Sequence, residues 1–266
     1  MTTPGDQLTL AAEHDPTEPA SDSRAAPLLA SPTIPAPPDW PQPPAEAAYH
    51  GVCGEIVSKL APETEADPVA ILTQLLVAAG SVIGRGAFFQ VEATFHHPNE
   101  FLVLVGDSSK ARKGSSFDHV ARLLAGADPS FPTRITTGLS TGEGVVWAVR
   151  DPTEQDRGAA DKRLLVIEPE FVSVLKQTMR DISTLSPTLR SAWDGRPLQL
   201  LTRTAPARAT DAHISVIGHI TATELRRHTT TVELANGFMN RFILAACRRV
   251  RLLPEGGKPD PLERTG

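Results

Sequence analysis

The chain has 266 residues, 40% of them hydrophobic and 21% charged, with a formal net charge of −5; this is the composition of one sizeable globular domain with appended segments. So small a charge excess provides no bulk field for a nucleic acid or a membrane surface, and a partner of either kind would have to meet a local basic face. Cys53 and Cys247 lie far apart without a Cys or His at metal-ligand spacing, so they read as two buried thiols of a reducing compartment, not as a disulfide.

Residues 1–46 hold 11 of the 24 prolines and few large apolar groups. Such a segment cannot bury enough surface to offset its ordering entropy and reads as a disordered tail, extended around Pro35 to Pro44. No basic run followed by an apolar core marks a secretory signal, which leaves a cytoplasmic location as the expectation. Residues 47–86 read as two helices forming a small N-terminal cap. Val52, Ile56, Val57 and Leu60 recur at helical spacing, and Asp67-Pro68 then supplies an N-cap and a first-turn proline for a run to Gly84 and Gly86. That apolar run is interrupted by Thr73, Gln74, Gly80 and Ser81 and is shorter than the ~20 residues needed to span a bilayer, so it predicts a core helix.

From residue 87 to 253 strands and helices alternate. Phe88 to Phe95 predicts a strand, Phe101 to Val105 a buried parallel strand, and Phe117 to Leu124 a helix. Arg134 to Leu139, Leu164 to Ile167, Ile214 to Gly218 and Phe242 to Cys247 predict further strands, with helices over Phe171 to Met179 and Pro187 to Trp193 and a hairpin about Ala205-Pro206. The pattern is that of an α/β domain with a mostly parallel central sheet flanked by helices. Residues 254–266 lack periodicity and read as a flexible C-terminal tail.

The stretch Phe101 to Ser116, FLVLVGDSSKARKGSS, is an apolar strand that ends in a flexible turn and opens a helix. Amides at such a helix start, together with the helix dipole, suit a phosphate, and Arg112 and Lys113 add full positive charge. The regular phosphate-loop pattern is glycine, four residues, then Gly-Lys-Ser/Thr; here Lys113 comes one position late after Gly106, and Gly114 precedes Ser115 and Ser116. On this reading Gly106 opens the turn, the amides of Ala111 to Ser115 surround phosphates, Lys113 reaches the β- and γ-phosphates, and Ser115 or Ser116 holds Mg²⁺. The alternative is a basic surface turn before an ordinary helix.

Four later segments extend the case. Leu164 to Glu168 is a buried strand ending in carboxylates, the place for an acid that holds Mg²⁺; Glu168 is the candidate, with Glu170 turning toward the site or capping the next helix. Glu143, within Gly138 to Gly144, is a candidate general base, while Thr141 or Ser140 caps the helix there. His219 or Thr221, at the end of another strand, can sense a γ-phosphate, or else His219 is a satisfied structural histidine. Arg241, in NGFMNRF, either reaches a phosphoryl group across a subunit boundary or pairs with a carboxylate inside the fold.

In this order GDSSKARKGSS, GLSTGEG, LLVIEPEF, ISVIGHIT and NGFMNRF resemble a RecA-like P-loop ATPase domain of unknown function seen in actinobacterial and phage or plasmid proteins of primase-helicase type. The resemblance covers residues 48 to 250. It implies ATP and Mg²⁺ as ligands, with Lys113, Ser115 and Ser116 on the nucleotide and metal, Glu168 as the metal-shell acid, Glu143 as the catalytic glutamate and Arg241 as the finger. It also implies a replicative-helicase motor working as a homo-oligomeric, hexameric ring on single-stranded DNA beside a primase-type partner. Two departures from the pattern, the irregular loop and a glutamate followed by Pro169, bear on turnover more than on nucleotide binding.

Overall fold

The computed structural model describes residues 39–107, 110–201, 206–229 and 236–257; most of the two expected tails lies outside them. Helices α1 (Gly51–Leu60) and α2 (Pro68–Ile83) come first, α2 started by Asp67, whose Oδ1 accepts the Val69 amide at 3.0 Å, and by Pro68. A hairpin of β1 (Phe89–Val91) and β2 (Thr94–His96) leads to β3 (Phe101–Val105), α3 (Lys113–Ala127), β4 (Ile135–Thr136) and α4 (Gly142–Ala148). Then come β5 (Arg163–Glu168), α5 (Phe171–Thr178), α6 (Leu185–Trp193), a second hairpin of β6 (Leu198–Leu200) and β7 (Ala207–Ala209), β8 (His213–Ile220), α7 (Ala222–His228) and β9 (Phe242–Ala246).

Five strands form one parallel sheet in the order β4-β5-β8-β3-β9. Side chains alternate between its faces, as the two-residue period of a strand requires. Phe101, Val103, Leu164, Val166, Ile214 and Val216 enter a core shared with α4, α5 and α6. Leu102, Leu104, Leu165, Ile167 and Ile217 enter the opposite core with α2 and α3. The expected α/β architecture is therefore present, with both faces of the parallel sheet covered, as parallel strands need.

Three expectations change. Helix α2 is not part of a separate cap: Ala70, Leu75, Val77 and Ala78 pack on the sheet beside α3, so α2 belongs to one of the two covering layers. The strand expected over Phe88 to Phe95 is a hairpin, because Glu92 adopts a left-handed φ of 50° and turns the chain back. The strand expected from Arg134 to Leu139 shrinks to Ile135–Thr136, and the chain breaks away at Gly138, with φ 90°. Pro68–Gly86 is long and apolar enough to cross a bilayer by length and composition, yet its apolar side is the one packed against the sheet.

Phe171 of α5 packs against β8 where Gly218 leaves room: a Cβ at 218 would run into the ring, which also packs edge-on to Phe242 at 5.2 Å between centroids. Gly218→Ala is expected to lower stability by about 1–3 kcal/mol through overpacking, read as a reduced urea midpoint at unchanged slope.

Candidate functional site

The β3–α3 loop stands at the carboxyl ends of the sheet strands, where open parallel sheets bind ligands. Gly106 is wedged there: its amide donates to the Ile220 carbonyl at 3.0 Å, and any Cβ would strike the carbonyl of Cys247. The chain reaches α3 through Arg112, which has a left-handed φ of 54° and gives α3 no side-chain cap. Arg112 thus gives the first-turn amides of this 15-residue helix no side-chain acceptor, a helix start of the kind that suits an anion. Arg112 itself lines the cleft beside the loop, and its guanidinium pairs with Glu65, with Nε and Nη2 at 2.7 and 2.6 Å from Oε2. The charge it was expected to add to a phosphate is partly offset by that ion pair.

Lys113 opens α3 beside the loop. Its Nζ donates to the carbonyls of Gly106 at 2.7 Å and Asp107 at 2.9 Å. Burial lowers its pKa, opposed by the nearby Cys247, Asp107, Glu224 and Glu170. The ammonium lines a cleft of about 310 Å³ with Asp107, Gly114, Ser115, Glu170, His219, Thr221 and Glu224. A Cβ at Gly114 would meet nothing within 4 Å, so the backbone there is open to close approach. Ser115 faces this cleft, but Ser116 does not: it is fully buried, donating to the Lys113 carbonyl at 2.7 Å and accepting from Gln74 Nε2 at 2.6 Å. Ala111 is buried beneath the loop. Cys247 is buried there too, its thiol pushed up to about 12 by burial.

The carboxylates are distributed differently from the sequence expectation. Glu168 Oε1 accepts the amides of Gly138 and Leu139, both at 2.6 Å, and its side chain is 6% exposed. It is a clamp on the β4–α4 loop and does not line the cleft. Two residues later, beyond Pro169, Glu170 lines the cleft in its place. Glu224 joins it from α7, held by the Thr221 hydroxyl at 2.8 Å in a capping box. Its pKa is lowered by that hydroxyl first, with smaller help from Lys113 and Lys176.

Glu143 is not brought into the cleft either. It starts α4 behind the edge strand β4, three strands from β3 and so ~14 Å away, and accepts from the Thr184 hydroxyl at 2.9 Å. Thr141 is the cap of that helix, accepting the Gly144 amide at 3.0 Å. Arg241 precedes β9 at the amino edge, the far side of the sheet from the loop. There it pairs with Asp194 at 2.9 Å, donates to the Gly237 carbonyl at 2.9 Å and stacks over Trp193; the in-fold alternative holds. A larger hollow of about 410 Å³ lies at this amino edge. Of its charged groups, Arg85 is engaged with the Gly195 and Ala212 carbonyls and Asp194 with Arg241.

His219 reaches the cleft but is 4% exposed, and its Nε2 lies 3.1 Å from Gln74 Oε1. Burial, aided by Lys113, lowers its pKa to about 4, so it is neutral at ordinary pH. Thr221 spends its hydroxyl on Glu224. Neither therefore matches the simple picture of a donor awaiting a γ-phosphate. Among the described residues no three His, Cys, Asp or Glu side chains gather to hold a metal ion.

Sequence reasoning missed Gln74, Glu65 and Glu224 as parts of this region. Glu224 had a signal, the Thr221-x-x-Glu224 capping box. Gln74 had a weaker one, an amide on the same helical face as Ile71, Leu75 and Ala78. The partner that makes Glu65 informative, Arg112, is 47 residues away and has no local signature. No family model matches the chain, and no curated protein matches it.

The two buried histidines give a pH expectation with a definite sign. His213 and His219 both fall from 6.5 to about 4 on folding, chiefly through burial. The unfolded chain therefore takes up protons first, and the stability present above pH 6.5 is lost as pH falls from there through 4, by on the order of a few kcal/mol; chemical unfolding at stepped pH reads this directly. Glu168→Ala, which leaves two amides without their carboxylate, is expected to cost about 2–3 kcal/mol in the same assay.

Proposed function

We propose that the cleft at the end of β3 binds a nucleoside triphosphate together with Mg²⁺, and that the domain is an ATPase of the RecA-like P-loop kind. The observation that carries this reading is the Lys113 ammonium at the uncapped start of α3, held by two backbone carbonyls that phosphate oxygens can replace. A cation at a helix N-terminus is unfavourable on its own and becomes favourable once an anion bridges it to the amides. The parallel sheet, with the loop at its carboxyl edge, is compatible with that fold.

The oxygen donors in the cleft suit Mg²⁺, a hard cation that keeps waters and leans on substrate phosphates. Ser115 and Glu170 are the residues to hold it, with Glu170 taking the part first expected of Glu168. When bound, the ion would neutralise charge on the transferring phosphoryl group. The wider reading, a helicase motor acting as a hexameric ring on single-stranded DNA beside a primase-type partner, is carried by the sequence resemblance.

A second reading is a nucleotide-dependent switch or assembly module with little turnover. It is favoured by the engagement of Glu143 with Thr184, of Glu168 with two amides and of Arg241 with Asp194, which leaves the expected base, metal acid and finger occupied elsewhere.

Titration calorimetry with Mg-ATP, followed by phosphate-release assays with and without single-stranded DNA, separates the readings. Binding with turnover is the expected result, and binding alone selects the switch. Lys113→Ala is expected to weaken binding at least tenfold, ~1.4 kcal/mol, and Glu170→Gln to reduce turnover and raise the Mg²⁺ requirement. Saturable binding that survives Lys113→Ala unchanged contradicts the site. Mg-ATP at 100 times its Kd is expected to stabilise the folded chain by ~2.7 kcal/mol.

A further inference from the structure

Gln74 is fully buried in the middle of α2, surrounded by apolar side chains, and all of its visible hydrogen bonds run toward the cleft wall or its own helix. Its Nε2 lies 3.0 Å from the Ala70 carbonyl and 2.6 Å from Ser116 Oγ, and its Oε1 lies 3.1 Å from His219 Nε2. These contacts fix every proton in the chain. A carbonyl only accepts, so the amide atom beside Ala70 must be the NH₂ group, and the atom beside His219 must be the oxygen. Ser116 gives its own proton to the Lys113 carbonyl at 2.7 Å and takes one from Gln74. Oε1 has nothing to donate, so His219 carries its proton on Nε2 and spends it there.

A neutral imidazole with its proton on Nε2 presents a lone pair at Nδ1. His219 lines the cleft, and with Nε2 engaged by Gln74 the polar ring atom it has left to offer is the Nδ1 acceptor. A phosphate oxygen, itself only an acceptor when ionised, gains nothing from it; a water or hydroxyl does. We infer that Gln74 is a positioning residue for the cleft: it locks His219 into the tautomer that accepts a hydrogen bond from a water or hydroxyl, and through Ser116 it pins the first turn of α3 beside Lys113. This inference rests on the nucleotide reading of the cleft, and it replaces the expectation that His219 senses phosphate by donating to it.

The geometry also accounts for a polar residue where an apolar one would be cheaper. A buried network of this kind is costly when partly satisfied and rigid when complete. Here the three side chains Gln74, Ser116 and His219 connect α2, α3 and β8 at one point.

Long-range ¹H–¹⁵N correlation of the histidine ring tests the tautomer without any nucleotide. Wild type is expected to show His219 protonated on Nε2, and a proton on Nδ1 overturns the inference even if no variant folds. Gln74→Met keeps the volume and removes the bonds; it is expected to lose the uniform Nε2–H signature and to bind Mg-ATP about tenfold more weakly, ~1.4 kcal/mol. Ser116→Ala, which spares the His219 branch, is expected to keep the tautomer. Wild-type binding matched by Gln74→Met with an unaltered signature overturns the positioning role while leaving the site intact. Absence of Mg-ATP binding in wild type overturns the nucleotide reading and the inference together.

Discussion

A half-buried ammonium at the positive end of a helix dipole is the constraint on which this site depends. Lys113 sits where α3 begins, with its positive charge beside open backbone amides, the arrangement that a helix dipole disfavours. The protein offsets the conflict locally: two carbonyls accept from Nζ, and Asp107, Glu170 and Glu224 lie close enough to oppose the effect of burial on its pKa. An incoming polyanion relieves the same conflict more completely, because it meets the ammonium and the amides at once. On the proposed reading, a phosphate is the partner for that charge.

The rest of the fold keeps that charge in place. Gly106 fits under the Cys247 carbonyl because it has no Cβ, which brings the loop down onto β9. Glu65 pairs with Arg112 and also accepts the Leu253 amide at 2.9 Å, so the loop is tied to the segment following β9. From beneath, Gln74 and Ser116 hold the first turn of α3. Across the sheet, Glu168 fixes the neighbouring β4–α4 loop, while Asp107, Glu170 and Glu224 are the carboxylates that line the cleft.

Much of this fold was legible in the sequence. Continuous apolar runs such as Phe101 to Val105 identify parallel strands because both faces are buried, and Asp67-Pro68 announces a helix start through its own backbone chemistry. The loop and Lys113 were legible for the same reason, since the signal is contiguous. What was not legible depends on side-chain direction after a strand ends. Glu168 and Glu170 are two residues apart, and only the path through Pro169 decides which one clamps a loop and which one faces the cleft. Arg241 and Asp194 meet across 47 residues, and the hairpin at Glu92 needed a left-handed turn by a residue type that rarely announces one.

The most direct measurement is the titration of Lys113 itself, by ¹³Cε chemical shift in selectively labelled protein, with and without Mg-ATP. The account predicts a pKa below the ordinary lysine value in the free protein and a clear rise when the nucleotide is added, because the phosphates supply the charge that burial withholds. An ordinary lysine titration that nucleotide leaves unchanged would contradict it.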